Sequence, residues 1–332
     1  MTMETKDLFP TMKLPENAGV VVCYGAGVDS TAMLLAMHDQ GIRPDVISFA
    51  DTGAEKPETY AQVDKMNAWL ESKGWPLVTV CKKITLDTTP YESLGGNCSH
   101  NETLPSLAFG MKSCSIKWKQ VPQDYLLKGC SSGPNKCEPH PLYLESLEKK
   151  LKLVKLIGYD SSPADIRRSK KVKREDEYFL YSYPLQDLGW TREDCIARIL
   201  REGMAVPIKS ACYFCPASQK WELWWLAGKH PDLFMKALEI ENNAMTGRHS
   251  RWGSDECTYG TDWEALTKLP GSFPSTSVTV GLGRSFAWGH WARKNGIVDQ
   301  DGNFVPDPER YLARADELKG GGGNAADMRA CA

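Results

Sequence analysis

The amino-acid sequence predicts an α/β fold, in which a parallel sheet of about five strands is followed by a mainly helical C-terminal region. Three observations lead to this prediction. Short apolar runs alternate with helical patterns over the first 80 residues. The connections between them are short, as right-handed crossovers between parallel strands require. From residue 191 onward the regular patterns are helical.

Five short apolar runs predict the strands of the sheet, because a strand buried on both faces has few polar positions. They are residues 19–24, 45–50, 76–81, 152–158 and 178–183. Helical spacing of apolar residues at 31–40 predicts the first crossover helix. Pro57, which a helix tolerates in its first turn, followed by residues 58–73, predicts the second.

The remaining segments divide the chain. Residues 86–110 and 130–140 are rich in Gly, Asn, Ser and Pro and predict two long inserted loops. Helical patterns follow at 191–202, 218–228 and 231–245. The predicted units are an N-terminal extension at 1–17, an α/β domain at 18–216, a helical region at 217–318 and a flexible tail at 319–332.

Composition excludes several classes of protein. The 332 residues include 40 basic and 42 acidic residues, so a net charge of −2 provides no overall attraction for nucleic acid or membranes. No apolar run is long enough for a membrane span, and the N-terminus has no signal-peptide pattern. We therefore expect a cytoplasmic protein without a membrane partner. Its eleven cysteines then favour metal or redox chemistry over disulfides.

A loop of small residues joins the first strand to the first helix. Backbone N–H groups in such a loop can converge on an anion, and the helix N-terminus adds partial positive charge. The same residues would also fit a simple tight turn with a helix cap. The pattern matches neither a Walker A loop nor a Rossmann fingerprint. The candidate nucleotide-binding residues are Tyr24, Gly25, Ala26, Gly27, Val28, Asp29, Ser30 and Thr31.

A second motif follows the second strand. Asp51, Thr52 and Gly53 stand at its carboxyl end, where open parallel sheets bind ligands. Residues 25–30 resemble the Ser-Gly-Gly-x-Asp-Ser loop of the PP-loop ATP pyrophosphatases, or adenine-nucleotide alpha-hydrolases. Residues 49–59 resemble the Asp-Thr-Gly and Glu-Thr motif of the phosphoadenosine phosphosulfate (PAPS) reductase family. The resemblance implies that these three residues border a nucleotide.

Three further segments extend the resemblance over residues 19–220. Residues 114–122 are similar to the family's Cys-Cys-x-x-Arg-Lys-x-x-Pro segment, with Lys119 on its phosphate-binding lysine. Residues 158–168 loosely resemble its Gly-x-Arg-x-x-Glu-Ser segment and begin with Gly158, a further candidate nucleotide contact. Residues 183–190 resemble its Pro-Leu/Ile-x-Asp-Trp segment. The implied fold is the Rossmann-like PP-loop type.

The sequence departs from the family at identifiable positions. Gly25 replaces the first Ser of the loop, and Ala26 replaces the first Gly, which we expect to be tolerated only with a negative φ. Asp160 replaces the Arg of the fourth segment. A C-terminal Glu-Cys-Gly-x-His motif, which carries the nucleophile in true PAPS reductases, is missing around Cys331.

The resemblance implies an enzyme that uses ATP with Mg²⁺. ATP would be cleaved between its α- and β-phosphates, with Asp29 and Lys119 as catalytic residues, and the adenylated acceptor would receive sulfur, with a sulfur-donor protein as a further partner. The acceptor would be a nucleic acid or a small molecule. Alternatives are a sulfonucleotide reductase that releases sulfite from PAPS, or its unphosphorylated analogue, and an ATP-binding or DNA-modification accessory protein without turnover.

The cysteines suggest a metal centre. In the family a Cys-Cys pair and a later C-x-x-C hold a [4Fe–4S] cluster, which implies Cys114, Cys212 and Cys215 as ligands here, with Ser115 at the fourth position. Zinc, or no metal, remains an alternative, since Cys98-Ser99-His100 and Cys137-x-x-His140 also offer zinc ligands. Cys23, Cys81 and Cys195 lie in regular elements and are expected to be buried. A fourth ligand could come from Cys98, Cys130, Cys137 or Cys257.

A basic segment follows the fourth motif. Residues 167–174 contain six basic residues, balanced at once by three acidic ones at 175–177. The segment is either a solvated loop or a surface that contacts phosphates of the substrate. The candidate phosphate contacts are Arg167, Arg168, Lys170 and Lys171.

Overall fold

The computed structural model describes residues 12, 14–15, 17–109, 113–130, 136–172, 174–246, 281–283 and 286–321. A five-stranded sheet with the order β3-β2-β1-β4-β5 forms its centre, and all four strand pairings are parallel. The strands are β1 (Val20–Cys23), β2 (Val46–Asp51), β3 (Val78–Lys82), β4 (Leu153–Ile157) and β5 (Phe179–Ser182). The predicted fold class is confirmed, and each strand lies at its predicted place.

Helices follow most of the strands, and the elements that follow β5 in the described residues are helices. The crossovers after β1 and β2 are α1 (Val28–Asp39) and α2 (Pro57–Ser72). Between β3 and β4 lie α3 (Leu94–His100), α4 (Ser113–Ser115), α5 (Val121–Lys128) and α6 (Pro141–Glu148). A π-helical turn, Ile116–Gln120, joins α4 to α5. The later helices are α7 (Pro163–Ser169), α8 (Pro184–Asp187), α9 (Arg192–Arg201), α10 (Lys220–Lys229), α11 (Pro231–Thr246), α12 (Trp288–Lys294) and α13 (Pro308–Gly321).

Two predicted irregular segments contain regular structure. Residues 86–110 include α3 and a 3₁₀ turn, Ser106–Phe109, because Leu94, Cys98 and Leu104 are buried and anchor the segment. The prediction of a loop was wrong there, since small polar residues concealed the apolar anchors. Residues 319–321, predicted as tail, belong to α13, whereas the rest of the tail lies outside the described residues.

Two large apolar cores hold these elements. One packs the sheet against α1, α2 and α9. The other combines residues 94–118 with residues 212–315, including Phe234, Trp224 and Trp288. This second core therefore crosses the boundary predicted at residue 216, and the helical region is packed against the α/β part of the chain. Within the described residues no helix is long and apolar enough to span a membrane.

Candidate functional site

The turn from β1 into α1 presents unpaired backbone donors. Gly27 is the N-cap of α1 in an extended conformation, and no side chain caps it. The first helical bond runs from the Thr31 N–H to the Gly27 carbonyl, at 3.0 Å. Among the described residues no acceptor takes the N–H groups of Val28, Asp29 or Ser30. These three donors, at the positive end of a helix of twelve residues, suit an anion.

Ala26 has a positive φ of 55°, contrary to the expectation of a negative one. The loop turns sharply between an extended strand and a helix, and it requires the left-handed conformation at this residue. A Cβ makes that conformation unfavourable by roughly 1–2 kcal/mol. Because Ala26 is also 1% exposed, the surrounding packing holds it in place.

Gly158, the residue after β4, packs against the loop between β1 and α1. A Cβ at Gly158 would lie 2.8 Å from the Ser30 nitrogen and 2.9 Å from its Cα, so a larger residue would displace the loop backbone. The Ser30 hydroxyl donates to the Gly27 carbonyl at 3.3 Å and accepts the Gly25 N–H at 3.1 Å. The Ser30 side chain therefore fixes the loop from within, and the close approach of Gly158 confines its backbone.

A cavity of about 530 Å³ opens at the carboxyl ends of β1, β2 and β4. Helix α5 and the π-helical turn border it on one side and β5 on another. The lining residues include Tyr24, Gly25, Gly27, Asp29, Ser30, Phe49, Ala50, Ser115, Lys119, Gln120, Gln123, Asp124, Lys155, Gly158, Tyr159, Tyr181 and Ser210. The predicted loop, Lys119 and Gly158 are thus brought together at one site.

Other predicted nucleotide contacts lie elsewhere. Thr31 is fully buried beneath the loop, where its hydroxyl contacts that of Tyr24 at 3.2 Å. Asp51, Thr52 and Gly53 are not among the lining residues of the cavity. The Asp51 carboxylate accepts the Tyr60 hydroxyl and the Gly53 N–H, which fixes the turn after β2.

Three carboxylates meet beside the loop. One oxygen each of Asp29, Asp160 and Asp165 lies within 4.8 Å of the others. Burial raises the pKa of Asp29 to about 7, the nearby Arg192 opposes this, and the two neighbouring carboxylates add to it. The Arg192 guanidinium is 3.0 Å from the Asp29 carboxylate. Oxygen donors of this kind are those that Mg²⁺ prefers.

Lys119 connects the cavity to the cysteines. Its Nζ donates to the Glu55 carboxylate at 2.7 Å, and the Glu55 side chain is fully buried. Desolvation opposes the charge of Lys119, but the Glu55 carboxylate raises the pKa of this lysine, so it remains charged. Lys119 borders the cavity, and its partner oxygen, Glu55 Oε1, accepts from the Cys212 thiol at 3.9 Å.

The three predicted cysteine ligands pack on one apolar core, together with the buried Cys98. Cys212 Sγ is 3.2 Å from the Thr52 hydroxyl, and the Cys215 N–H donates to the Cys212 carbonyl at 3.0 Å. Cys114 lies in α4, and its N–H donates to the Ser106 hydroxyl at 2.9 Å. All nine cysteines in the described part of the chain are free thiols.

The described sulfur atoms are not preassembled as a tetrahedral zinc site. No three sulfur atoms among the described residues lie within 4.8 Å of one another. Tetrahedral zinc, with Zn–S bonds of about 2.3 Å, brings its sulfurs closer together than that.

The predicted basic segment is exposed beside the cavity. Arg167, Lys170 and Lys171 are exposed, and no ion pair to a described residue is formed by any of them. Arg168 instead pairs with Asp165 at 2.7 Å. Val172, in the same segment, lines the cavity.

Several site residues had no predicted role. Glu55 lay within the second motif, and Asp165 within the fourth, without an assigned partner. Lys155 offered a signal, because a lysine inside a buried strand is unusual. It is 3% exposed, pairs with Asp124 and lines the cavity.

A second cavity, of about 640 Å³, lies on the other side of the loop. Val28 and Arg192 line it beside α1, and Trp221, Trp225 and Lys229 line it from α10. Lys209 borders this cavity, and its chain neighbour Ser210 borders the first one. The two cavities therefore adjoin at the loop between β1 and α1.

Comparison with known proteins gives little further information. No protein-family model and no curated protein matches this chain. Among solved structures, the chain is similar to the U34-tRNA thiolase NcsA from Methanococcus maripaludis with its [4Fe–4S] cluster. The TM-score is 0.35 at 12% sequence identity, over 86% of this chain and 84% of that one. A similarity of this size does not establish a shared function.

Proposed function

We propose that the chain is a PP-loop enzyme that binds ATP in the first cavity and cleaves it to AMP and pyrophosphate. The observation that carries this proposal is the convergence of unpaired loop N–H groups, Gly158 and Lys119 on one cavity at the carboxyl edge of the sheet. An acceptor oxygen would attack the α-phosphorus, form an adenylate and release pyrophosphate.

The roles of the residues follow from their chemistry. The N–H groups of Val28, Asp29 and Ser30 would hold the pyrophosphate oxygens. The Lys119 ammonium would stabilise the negative charge that develops as the bond to the leaving group breaks. Asp29, with Asp160 and Asp165 beside it, would hold Mg²⁺ and so become ionised despite its raised pKa.

The cysteine group fits an iron–sulfur cluster. Cys114, Cys212 and Cys215 belong to or pack on one apolar core, and Lys119 and Lys209 supply positive charge beside Cys215. When bound, a [4Fe–4S] cluster would supply the redox and sulfur-handling chemistry for sulfur transfer to the adenylated acceptor. Lys119, in the π-helical turn, would then lie between this group and the bound nucleotide.

The proposal is tested by the products formed from α-labelled ATP. We expect AMP and pyrophosphate with Mg²⁺ and an acceptor, and a loss of at least about 100-fold in Asp29→Asn. Asp64→Asn, an exposed acid on α2, is the matched control and should retain full activity. Nucleotide binding without any product, over a range of small-molecule and nucleic-acid acceptors, would contradict the enzyme proposal and favour an accessory ATP-binding protein.

A sulfonucleotide reductase is the second candidate, because the cavity and a cluster would also suit PAPS. It predicts thiol-dependent sulfite release from PAPS that Cys331→Ser abolishes. Cys331 lies outside the described residues. Sulfite release without pyrophosphate release from ATP would favour this candidate.

A further inference from the structure

We propose that the second cavity is a further binding site, which takes one nucleotide unit: its aromatic base on Trp221 and Trp225, and its phosphate on Arg192 and Lys209. The unit is a free nucleotide or one residue of a single-stranded nucleic acid, since both present the same base and phosphate. This inference goes beyond the proposed ATP cleavage, which uses the first cavity only. The volume of about 640 Å³ lies within the roughly 300–1,000 Å³ of small-molecule sites.

Helix α10 presents two indole rings to the second cavity. Trp221 and Trp225 are four positions apart, so they share one face of the helix, and both line the cavity. Trp224 is 7% exposed and belongs to the second core, whereas Trp225 packs on the edge of that core and Trp221 is not among its described residues. Both rings at the cavity are partly exposed. They therefore offer a surface on which a base can stack.

Neighbouring groups hold the two rings in place. The Trp221 Nε1–H donates to the side-chain oxygen of Gln219 at 2.9 Å. The Lys56 ammonium lies 5.5 Å from the centre of the Trp225 ring, and Lys56 is itself 5% exposed. Glu222 fixes this lysine, with 3.8 Å between the charged groups. A wall that is already ordered lowers the entropy cost of binding a ligand against it.

Two cations line the cavity where it adjoins the loop between β1 and α1. The Arg192 guanidinium is 3.0 Å from the Asp29 carboxylate of that loop. The Lys209 ammonium donates to the Glu222 carboxylate at 2.8 Å. The chain neighbour of this lysine, Ser210, lines the first cavity, so Lys209 also stands at the boundary between the cavities. Guanidinium and ammonium groups held in this way suit the oxygens of a phosphate.

Two further cations, Lys229 and Lys319, line the cavity from α10 and α13. The Lys319 ammonium lies 5.3 Å from the centre of the Trp221 ring. Lys229 is exposed and forms no ion pair with any residue that the structure describes. Four cations in the described lining outnumber three acids, and one of these acids, Glu222, is already paired with Lys209. The balance of charge therefore favours an anionic ligand.

The combination of rings and cations identifies the class of ligand. An apolar ligand would leave the cations without an anion, and a bare phosphate would leave the indole rings uncovered. A nucleotide unit uses both, because its base stacks on aromatic side chains and its phosphate attracts lysine and arginine. Its phosphate would lie toward the loop between β1 and α1, and its base toward α10.

Calorimetric titration of the full chain tests the inference, with the first cavity saturated by α,β-methylene-ATP and Mg²⁺. The probes are the four nucleoside 5′-monophosphates and a single-stranded hexanucleotide. We expect at least one probe to bind with one equivalent per chain, and ribose 5-phosphate and the free nucleosides to bind at least about tenfold more weakly, because each lacks one of the two groups. A hexanucleotide that binds at least about tenfold more tightly than the monophosphates assigns the site to a strand, and equal affinity assigns it to a free nucleotide.

Variants on α10 identify the cavity as the place of binding. Trp221→Ala should weaken binding of the probe at least about fivefold, and Trp221→Phe, which keeps an aromatic ring, should restore most of the affinity. Lys229→Ala should weaken it about threefold at low salt and less at high salt, because this charge is exposed. Lys236→Ala, an exposed lysine on α11 outside the cavity lining, is the matched control and should bind like the wild type.

The outcomes that overturn this site differ from those that overturn ATP cleavage. Failure of every probe to bind, or equal affinities of Trp221→Ala and the wild type, would overturn the second site. Ribose 5-phosphate that binds as tightly as the nucleotides would do the same. A chain that binds the probe as expected but forms no AMP retains this site and loses the proposed ATP cleavage. The comparison of nucleotide, nucleoside and sugar phosphate needs no variant, so it decides the question even if Trp221→Ala does not fold.

Discussion

The region proposed to bind nucleotide (the nucleotide region) and the region of the predicted cysteine ligands (the cysteine region) lie on either side of Lys119, and they are built in different ways. The nucleotide region consists mainly of backbone: the turn from β1 to α1 and the end of β4 offer N–H groups and a glycine. The cysteine region consists of side chains from α3, α4 and the C-x-x-C turn, brought together by one apolar core. A site made of backbone depends on local conformation, whereas a site made of distant side chains depends on packing.

The largest effect is expected at the residue that both regions share. Lys119→Ala leaves the fully buried Glu55 carboxylate without its partner. We expect a loss of about 2–3 kcal/mol in the free energy of unfolding, less than for a fully buried pair because Lys119 is 39% exposed. Pyrophosphate release should fall at least about 100-fold. Denaturant unfolding and the ATP assay measure the two effects.

The double variant Lys119→Ala/Glu55→Gln separates these effects. Replacing the unpaired Glu55 carboxylate by an amide should restore most of the free energy of unfolding that Lys119→Ala loses. It should restore none of the pyrophosphate release. Lys117→Ala, an exposed lysine two residues away, is the control and should change neither. Equal stability of Lys119→Ala and the wild type would show that the ion pair does not hold the two regions together.

The second prediction concerns the nucleotide region alone. Gly158→Ala should push the β4 end against the Ser30 backbone, lower the free energy of unfolding by about 1–3 kcal/mol and weaken ATP binding at least tenfold. At Gly25 a Cβ would meet only the Ser30 hydroxyl, at 3.7 Å, so Gly25→Ala should fold normally. Calorimetric titration with ATP is the measurement, and equal affinities in Gly158→Ala and the wild type would contradict the predicted geometry.

The third prediction concerns the support of the cysteine region. Glu241, on α11, accepts the N–H groups of Leu282, Trp288 and Gly289 and so fixes Leu282 and the N-terminus of α12. Glu241→Gln replaces one acceptor oxygen by a donor and should cost about 1–3 kcal/mol. ATP binding should remain unchanged, because the nucleotide loop is anchored on a different core. Glu239→Gln, on the exposed side of α11, is the control.

Glu241 should also make the free energy of unfolding depend on pH. Burial raises the pKa of Glu241 from 4.5 to about 7, so the folded chain binds this proton more tightly than the unfolded chain does. The contribution of Glu241 to the free energy of unfolding should therefore decrease as the pH rises from about 4.5 to 7, and Glu241→Gln should lack this dependence. Thermal unfolding at pH 5 and pH 8 measures the difference between the variant and the wild type.

The smallest effect is expected at Ala26. Ala26→Gly relieves the positive φ and should raise the free energy of unfolding by up to about 1 kcal/mol, with ATP affinity preserved. Ala68→Gly, at an exposed position in the middle of α2, should have the opposite effect and lower the free energy of unfolding by about 1 kcal/mol. Destabilisation by Ala26→Gly would show that packing of its methyl group outweighs the backbone strain.

The sequence by itself determined the parallel sheet, the places of its strands and the loop that follows β1. These features depend on local patterns, because apolar runs specify buried strands and small residues specify a tight turn. It also indicated Lys119, Gly158 and the three predicted cysteine ligands, through a resemblance carried by short motifs.

Only the tertiary structure decided which groups meet. Glu55 and Lys119 are 64 positions apart, and no local pattern predicts their ion pair. Gly95 stands in a segment rich in small polar residues, yet α3 packs on the C-x-x-C turn, since a Cβ at Gly95 would lie 3.4 Å from the Phe214 ring. Local patterns fix backbone conformation, whereas contacts between distant side chains follow from how the elements pack. For this reason the loop after β1 was predictable, and the packing of α3 on the C-x-x-C turn was not.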